Sequence, residues 1–178
     1  MATVNDPSGT YAGVTDDNHL MVESISKTDL EYNSLNLKRG FSVITRYSAT
    51  ANDYILSIEC TSETLNFVID EINFGSSVAT EFEIGFVAGG TPAGTSVTPI
   101  NLNGGGSNGT SLTCFGNASV TGITSASIIA YEGVGTADQY RKHDTLSGVV
   151  LTKGDVFYIK TLDTATVTAT VYGHFREA

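Results

Sequence analysis

The sequence has no tryptophan, and only two cysteines, three prolines and three histidines among its 178 residues. Each scarcity removes a class of reading. Cys60 and Cys114 cannot supply the framework of a disulfide-stapled mini-protein. They lie in separate apolar stretches, with no CxxC and no neighbouring histidine. Two small core thiols are the expectation, with a disulfide left open. His19, His143 and His174 are spread along the chain, and none has a neighbour at ligand spacing. That argues against a histidine-based metal site or a Ser-His dyad. No run reaches the roughly 18 apolar residues of a membrane-spanning helix. No apolar segment follows Met1, so no secretory signal is expected, and the sequons at Asn108 and Asn117 then carry no consequence.

Positive charge is also scarce. Nine Lys and Arg stand against 19 Asp and Glu, a formal charge of −10. A phosphate-binding face needs clustered cations that displace counterions, so neither nucleic acid nor an anionic membrane is an expected partner. GxSxG, HExxH, Walker A and dinucleotide-binding motifs are all missing. Gly104-Gly105-Gly106 is not followed by the Lys-Ser/Thr of a phosphate loop. Asp16-Asp17-Asn18 lacks the alternating spacing and distal Glu of a calcium loop and reads as an Asx-type turn. Asp70 and Glu71 are adjacent, so on a regular strand they point to opposite faces and cannot work as a carboxylate pair. Arg141-Lys142-His143, flanked by Asp138 and Asp144, reads as a solvated loop, or else as a docking point for an acidic partner surface. The expectation is a non-enzyme with no cofactor and no metal.

What the sequence does contain is strand pattern. In Glu81-Phe82-Glu83-Ile84-Gly85-Phe86, acids alternate with apolar residues, which sets Phe82, Ile84 and Phe86 on one side and the two glutamates toward water. Val167, Ala169 and Val171 alternate with Thr166, Thr168, Thr170 and Tyr172, giving a half-buried strand with a threonine-lined outer face. Phe41, Val43, Thr45 and Tyr47 form another row, and Leu56, Ile58 and Cys60 a third. Phe67 and Ile69 continue the theme. The period then shifts to Ile72 and Phe74, which predicts a bulge near Asp70-Glu71. Turn signals at 38–40, 51–53, 75–77, 153–155 and 162–163 separate these rows. Eight to ten short strands between such turns predict a sandwich or barrel. One short helix is suggested by the capping box Thr28-Asp29-Leu30-Glu31. Residues 1–39 read as an arm or small subdomain, and residues 40–178 as the β-sandwich.

One stretch is unusual. From Ile84 to Tyr131 there is no Asp, Glu, Lys, Arg or His, although 16% of the chain is Asp, Glu, Lys or Arg. Either it is a long polar loop between uncharged strands, or it is a contact surface. Interface cores are depleted in charge because desolvating an unpaired ion is costly.

Three strings resemble structural proteins of tailed-phage virions. The run Tyr11-Ala12-Gly13-Val14-Thr15-Asp16-Asp17-Asn18-His19-Leu20-Met21-Val22 is similar to an extended opening in that group, with His19 where Arg is usual. The block from Gly94 to Asn103, with Val97, Pro99, Ile100 and Leu102, resembles its "G-T-x-V-T-P-x-N-x-N" string. Leu151-Thr152-Lys153-Gly154-Asp155 resembles a turn common in virion sandwiches. The resemblance implies a jelly-roll fold, assembly as a homotrimer, and a place on the outer capsid surface after synthesis in the host cytoplasm. It also implies a role as a decoration or cement protein that binds the major capsid protein across subunit boundaries. The expected partner-binding residues are Tyr11, Val14, His19, Leu20, Val22, Lys38, Arg39, Val97, Ile100, Leu102, Arg141 and Lys142. A tail or fibre adhesin with a carbohydrate-binding sandwich is the alternative.

Overall fold

A computed structural model describes residues 3–5, 10–14, 20–24, 39–103, 111–121, 126–135, 140–143 and 148–178. All regular structure among them is β. The capping box at Thr28–Glu31, the turn at Asp16–Asn18, and both His19 and Lys38 lie outside the described residues.

Near the N-terminus, β1 (Thr3–Asn5), β2 (Thr10–Val14) and β3 (Leu20–Ser24) form a three-stranded antiparallel sheet of their own. Tyr11 and Val14 lie on β2, and Leu20 and Val22 on β3.

The remaining strands make two six-stranded antiparallel sheets packed face to face, a β-sandwich. They are β4 (Gly40–Ala49), β5 (Tyr54–Cys60), β6 (Leu65–Ser76), β7 (Thr80–Ala88), β8 (Thr91–Ser96), β9 (Ile100–Asn101), β10 (Leu112–Thr121), β11 (Ala126–Val134), β12 (Tyr140–His143), β13 (Val149–Leu151), β14 (Asp155–Thr161) and β15 (Ala165–Glu177). The first sheet runs β12-β6-β15-β4-β9, with β13 also on β6, and the second runs β11-β7-β14-β5-β10-β8. The pairing is nested. β4 pairs with β15, β5 with β14, β6 with β12 and β13, and β7 with β11. Successive pairs alternate between the two sheets.

The core is the interlock of the two inner faces. Val43, Phe67, Ile69, Ile72, Phe74, Val167, Ala169, Val171 and Phe175 of the first sheet meet Leu56, Ile58, Phe82, Ile84, Phe157 and Ile159 of the second. These are the alternating rows expected from the sequence. Aromatic contacts reinforce them, with Phe74 stacked on Phe82 at 4.9 Å and Phe175 edge-on to both Phe41 and Phe67. Cys60 and Cys114 are both free and buried. Cys60 faces Leu112 and Cys114 faces Ile58 across one ladder, so the two thiols share a face as diagonal neighbours.

Two turns use one device. In Thr50–Asp53 and Thr152–Asp155, the aspartate Oδ2 accepts from the threonine N (2.8 Å in each) and from its Oγ1 (2.8 and 2.5 Å). The aspartate N–H donates back to the threonine carbonyl, while Asn52 and Gly154 take φ of +71° and +80°. The turn expected at Gly75–Ser77 falls slightly later. Gly75 and Ser76 remain paired with Thr168 and Val167, and a Ser76–Thr80 hydroxyl bond of 2.6 Å closes the loop instead.

The bulge expected near Asp70-Glu71 is present. Tyr172 faces Glu71 and Gly173 faces Ile69, which leaves Asp70 as the extra residue on β6. It alters the expectation for this pair of acids. Glu71 lies opposite the outward Tyr172, and Asp70 Oδ2 is 2.8 Å from Nδ1 of the outward His174. Both carboxylates therefore serve the outer face. The strand opposite must come close, and only glycine permits it. A Cβ on Gly173 would stand 2.4 Å from the Val68 carbonyl oxygen and 2.5 Å from the Phe67 ring.

Two measurements check this core. Gly173→Ala is expected to destabilise the protein by about 1–3 kcal/mol in chemical denaturation, because backbone and a buried ring must both move. Burial also raises the Cys114 thiol from 9.0 to about 12. The folded state then keeps a proton that the unfolded state loses above pH 9. Stability from this group is intact below pH 9 and falls between pH 9 and 12, by up to about 1.4 kcal/mol per pH unit. Denaturation at pH 8 and at pH 10–11, with Cys114→Ala flattening the fall, reads this out.

Candidate interaction surface

Among its described residues the uncharged segment is mainly strand. Its described residues complete β7, form β8, β9 and β10, and open β11. These strands extend both sheets at one edge, β8 and β10 beyond β5 and β9 beyond β4, and close the second sheet at the other edge with β11. Among the described residues, seven large apolar side chains are well exposed, and five of them fall in this segment: Ile100, Leu102, Ile128, Ile129 and Tyr131.

Register groups them into two patches. Ile100 on β9 faces Ser42 on β4, and Ile44 shares that outer face two residues on. Leu102 follows, with its N–H bonded to the Gly40 carbonyl at 2.9 Å. The first patch is thus Ile44, Ile100 and Leu102 on the outside of the first sheet. On β11, Ile128 faces Gly85 and Tyr131 faces Glu83, and the pairing shifts between Ile128 and Ala130, with Ile129 as the extra residue. The second patch is Ile128, Ile129 and Tyr131 on the outside of the second sheet. The bulge at Ile129 also interrupts the free edge of β11, which lessens open-ended strand pairing there.

The second patch borders a buried cluster on the same outer face, made of Val87, Val156 and Tyr158 with Tyr54 against them. Tyr158 is only 1% exposed and lies across Gly85, where a Cβ would meet its ring at 2.2 Å. Its hydroxyl donates to Glu83 at 3.0 Å, and Lys160 stands 3.6 Å from the same carboxylate. Glu83 is therefore held within the outer face, whereas the sequence pattern pointed it at water. Burial, then the bond to Glu83 and its negative charge, push the Tyr158 phenol up from 10.0.

Arg141-Lys142-His143 occupies strand β12 rather than a loop. All three side chains are spoken for by acids. Arg141 Nε lies 3.1 Å from Glu132, and its guanidinium also donates to the Gly133 carbonyl at 3.0 Å. His143 bonds the other Glu132 oxygen, and Lys142 is 3.0 Å from Glu71. Glu132 lies opposite Phe82, and Arg141 and His143 lie opposite Phe74 and Ile72, so they stand on the inward rows of edge strands of different sheets, with His143 buried and Arg141 still largely exposed. They form a polar clasp that closes one side of the sandwich. Arg141 and Lys142 each remain more than half exposed beside their acids.

Of the other expected contact residues, Ile100 and Leu102 are exposed and adjacent. Val97 instead packs on the core, with its N–H bonded to the Cys114 carbonyl at 2.9 Å. Arg39 lies 3.7 Å from Glu177 near the chain ends. Sequence reading named neither Ile44 nor the β11 trio as contacts. The charge-free stretch held the signal for the trio, but only register shows that these residues stay outside. Among the described residues, no group of three or more His, Cys, Asp or Glu could hold a metal ion, and no helix is long and apolar enough to cross a membrane. The described surface thus defines an antiparallel β-sandwich whose distinctive chemistry is apolar contact. No family model, curated protein or solved structure matches the chain.

Glu132→Ala removes one carboxylate that meets both Arg141 and His143. It is expected to cost about 1–2 kcal/mol in denaturation, since the bond to buried His143 is lost while the exposed Arg141 is screened by water. Lys153→Ala, which breaks an exposed pair with Glu63, should stay within about 0.5 kcal/mol of the parent.

Proposed function

We propose that this chain is a structural virion protein. It decorates and stabilises a phage capsid by binding across capsid-subunit boundaries as a homotrimer, with no catalytic step. The observation that carries the reading is the pair of exposed apolar patches, built largely by the stretch from Ile84 to Tyr131 that has no Asp, Glu, Lys, Arg or His. A soluble chain of charge −10 gains nothing from leaving isoleucine, leucine and tyrosine side by side in water, whereas a surface sheltered by a neighbouring molecule does.

Two further features support it. The nested pairing of β4–β7 with β11–β15, alternating between sheets, is that of a folded-over hairpin and favours a jelly roll. Such sandwiches suit a rigid shell component because no large rearrangement accompanies docking. The resemblance of the Tyr11–Val22 and Gly94–Asn103 strings to tailed-phage structural proteins gives the reading its particular setting. A ligand that binds only the assembled shell stabilises it by mass action, and several linked weak contacts multiply through effective concentration.

The N-terminal sheet supplies the test. Among the described residues, strands β1–β3 pair only with one another, so removing residues 2–30 takes no described partner from either sandwich sheet. The truncated protein should show an unchanged melting transition of the sandwich and lose binding to capsids. Full occupancy on capsids by the truncated protein contradicts the role of the arm. Mass spectrometry of purified virions should count hundreds of copies per particle. A dozen or fewer points to a tail or collar component.

A further inference from the structure

We infer that copies of this chain associate head to tail, with the Ile44, Ile100 and Leu102 patch of one copy seated on the Ile128, Ile129 and Tyr131 patch of the next. This deepens the structural reading above and rests on its premise that the chain self-assembles.

The placement of the two patches carries the inference. The first lies on the outer face of one sheet, at the β9 edge. The second lies on the outer face of the other sheet, at the β11 edge, beside the clasp that joins β11 to β12. They occupy opposite faces and opposite edges of the sandwich. A two-fold dimer buries the same patch on both copies and would leave the other patch in water. A head-to-tail contact buries both at once. Repeated by rotation, it closes into a ring of three or more copies.

Charge points to the same occupant. Each copy carries −10, so copies repel except where charge is absent, and both patches are free of it. Apart from Arg141, which is paired with Glu132 where its guanidinium reaches the Gly133 carbonyl, the rims are opposite in sign. Arg46 is exposed on the same outward row as Ile44, two residues along β4. Glu81 is exposed opposite Gly133, two residues along from Tyr131. A head-to-tail contact brings cationic rim toward anionic rim. A same-patch contact brings Arg46 toward Arg46, or Glu81 toward Glu81, which is unfavourable. The charges nearest Tyr131 are already settled, since Glu83 is held by Tyr158 and Lys160.

Native mass spectrometry and sedimentation of the full chain test this. Wild type should form a closed species of three or more copies. Ile100→Asp blocks the first patch and Ile128→Asp the second. Each alone should be monomeric, with self-affinity weakened at least about 100-fold. An equimolar mixture of the two retains one good patch on each partner, so it should yield a dimer and nothing larger. Ile44→Ser and Tyr131→Ser, gentler changes at exposed positions, repeat the test if either aspartate variant misfolds. If one variant keeps its oligomer while the other loses it, or the mixture stays monomeric, the head-to-tail contact is wrong and self-assembly stands. If wild type is monomeric at every concentration, both this contact and the self-assembling part of the proposed role fall.

Discussion

The structure depends on one constraint: two sheets must bury one alternating row from each strand against each other, with ionic groups kept to the open sides. Phe67, Ile72, Phe74, Phe82, Ile84, Phe157 and Ile159 meet that constraint, and all are fully buried. Burying a side chain of this size contributes roughly 1.5–3 kcal/mol, which makes the shared core far larger than any single polar contact. Once those rows are fixed inward, the period of two leaves no choice about what faces out. Ile44, Ile100, Ile128 and Tyr131 are outside because their neighbours are inside.

Polar groups then manage what the core leaves over. A sandwich has open sides, and inward residues near them would otherwise meet water. Glu132, Arg141 and His143 fill one side with mutually bonded polar groups. At the bulge, Asp70 bonds His174 while Glu71 accepts from Asn73 at 2.7 Å and meets Lys142. These contacts engage two of the nine Lys and Arg, Arg141 and Lys142, with acids of the sandwich. The sign of the remaining surface follows, and so does the value of regions where no charge stands.

Much of this was legible in the sequence. The alternating rows, the bulge near Asp70, the turns at 51–53 and 153–155 and the buried thiols could all be read from period and turn chemistry. The contact surface was half legible. Absence of charge from 84 to 131 marked the segment, and the Gly94–Asn103 string singled out Ile100 and Leu102, both of which are exposed. Two things could not be read. Tyr158 and Glu83 sit on an outer face yet are largely buried, because Gly85 lets the ring lie flat across its strand, a matter of tertiary neighbours. Arg141, Lys142 and His143 read as a solvated loop because their acids, Glu132 and Glu71, are far away or on another strand. Pairing across sheets has no local signature.

The account turns on whether the charge-free strands are covered by another copy in the assembled state. Hydrogen exchange of the full chain, in dilute solution and at high concentration, asks this directly. Protection should rise with concentration in peptides covering residues 100–102 and 126–134, while β14 and β15 stay unchanged. Equal exchange at both concentrations, in a sample that has demonstrably assembled, would contradict it.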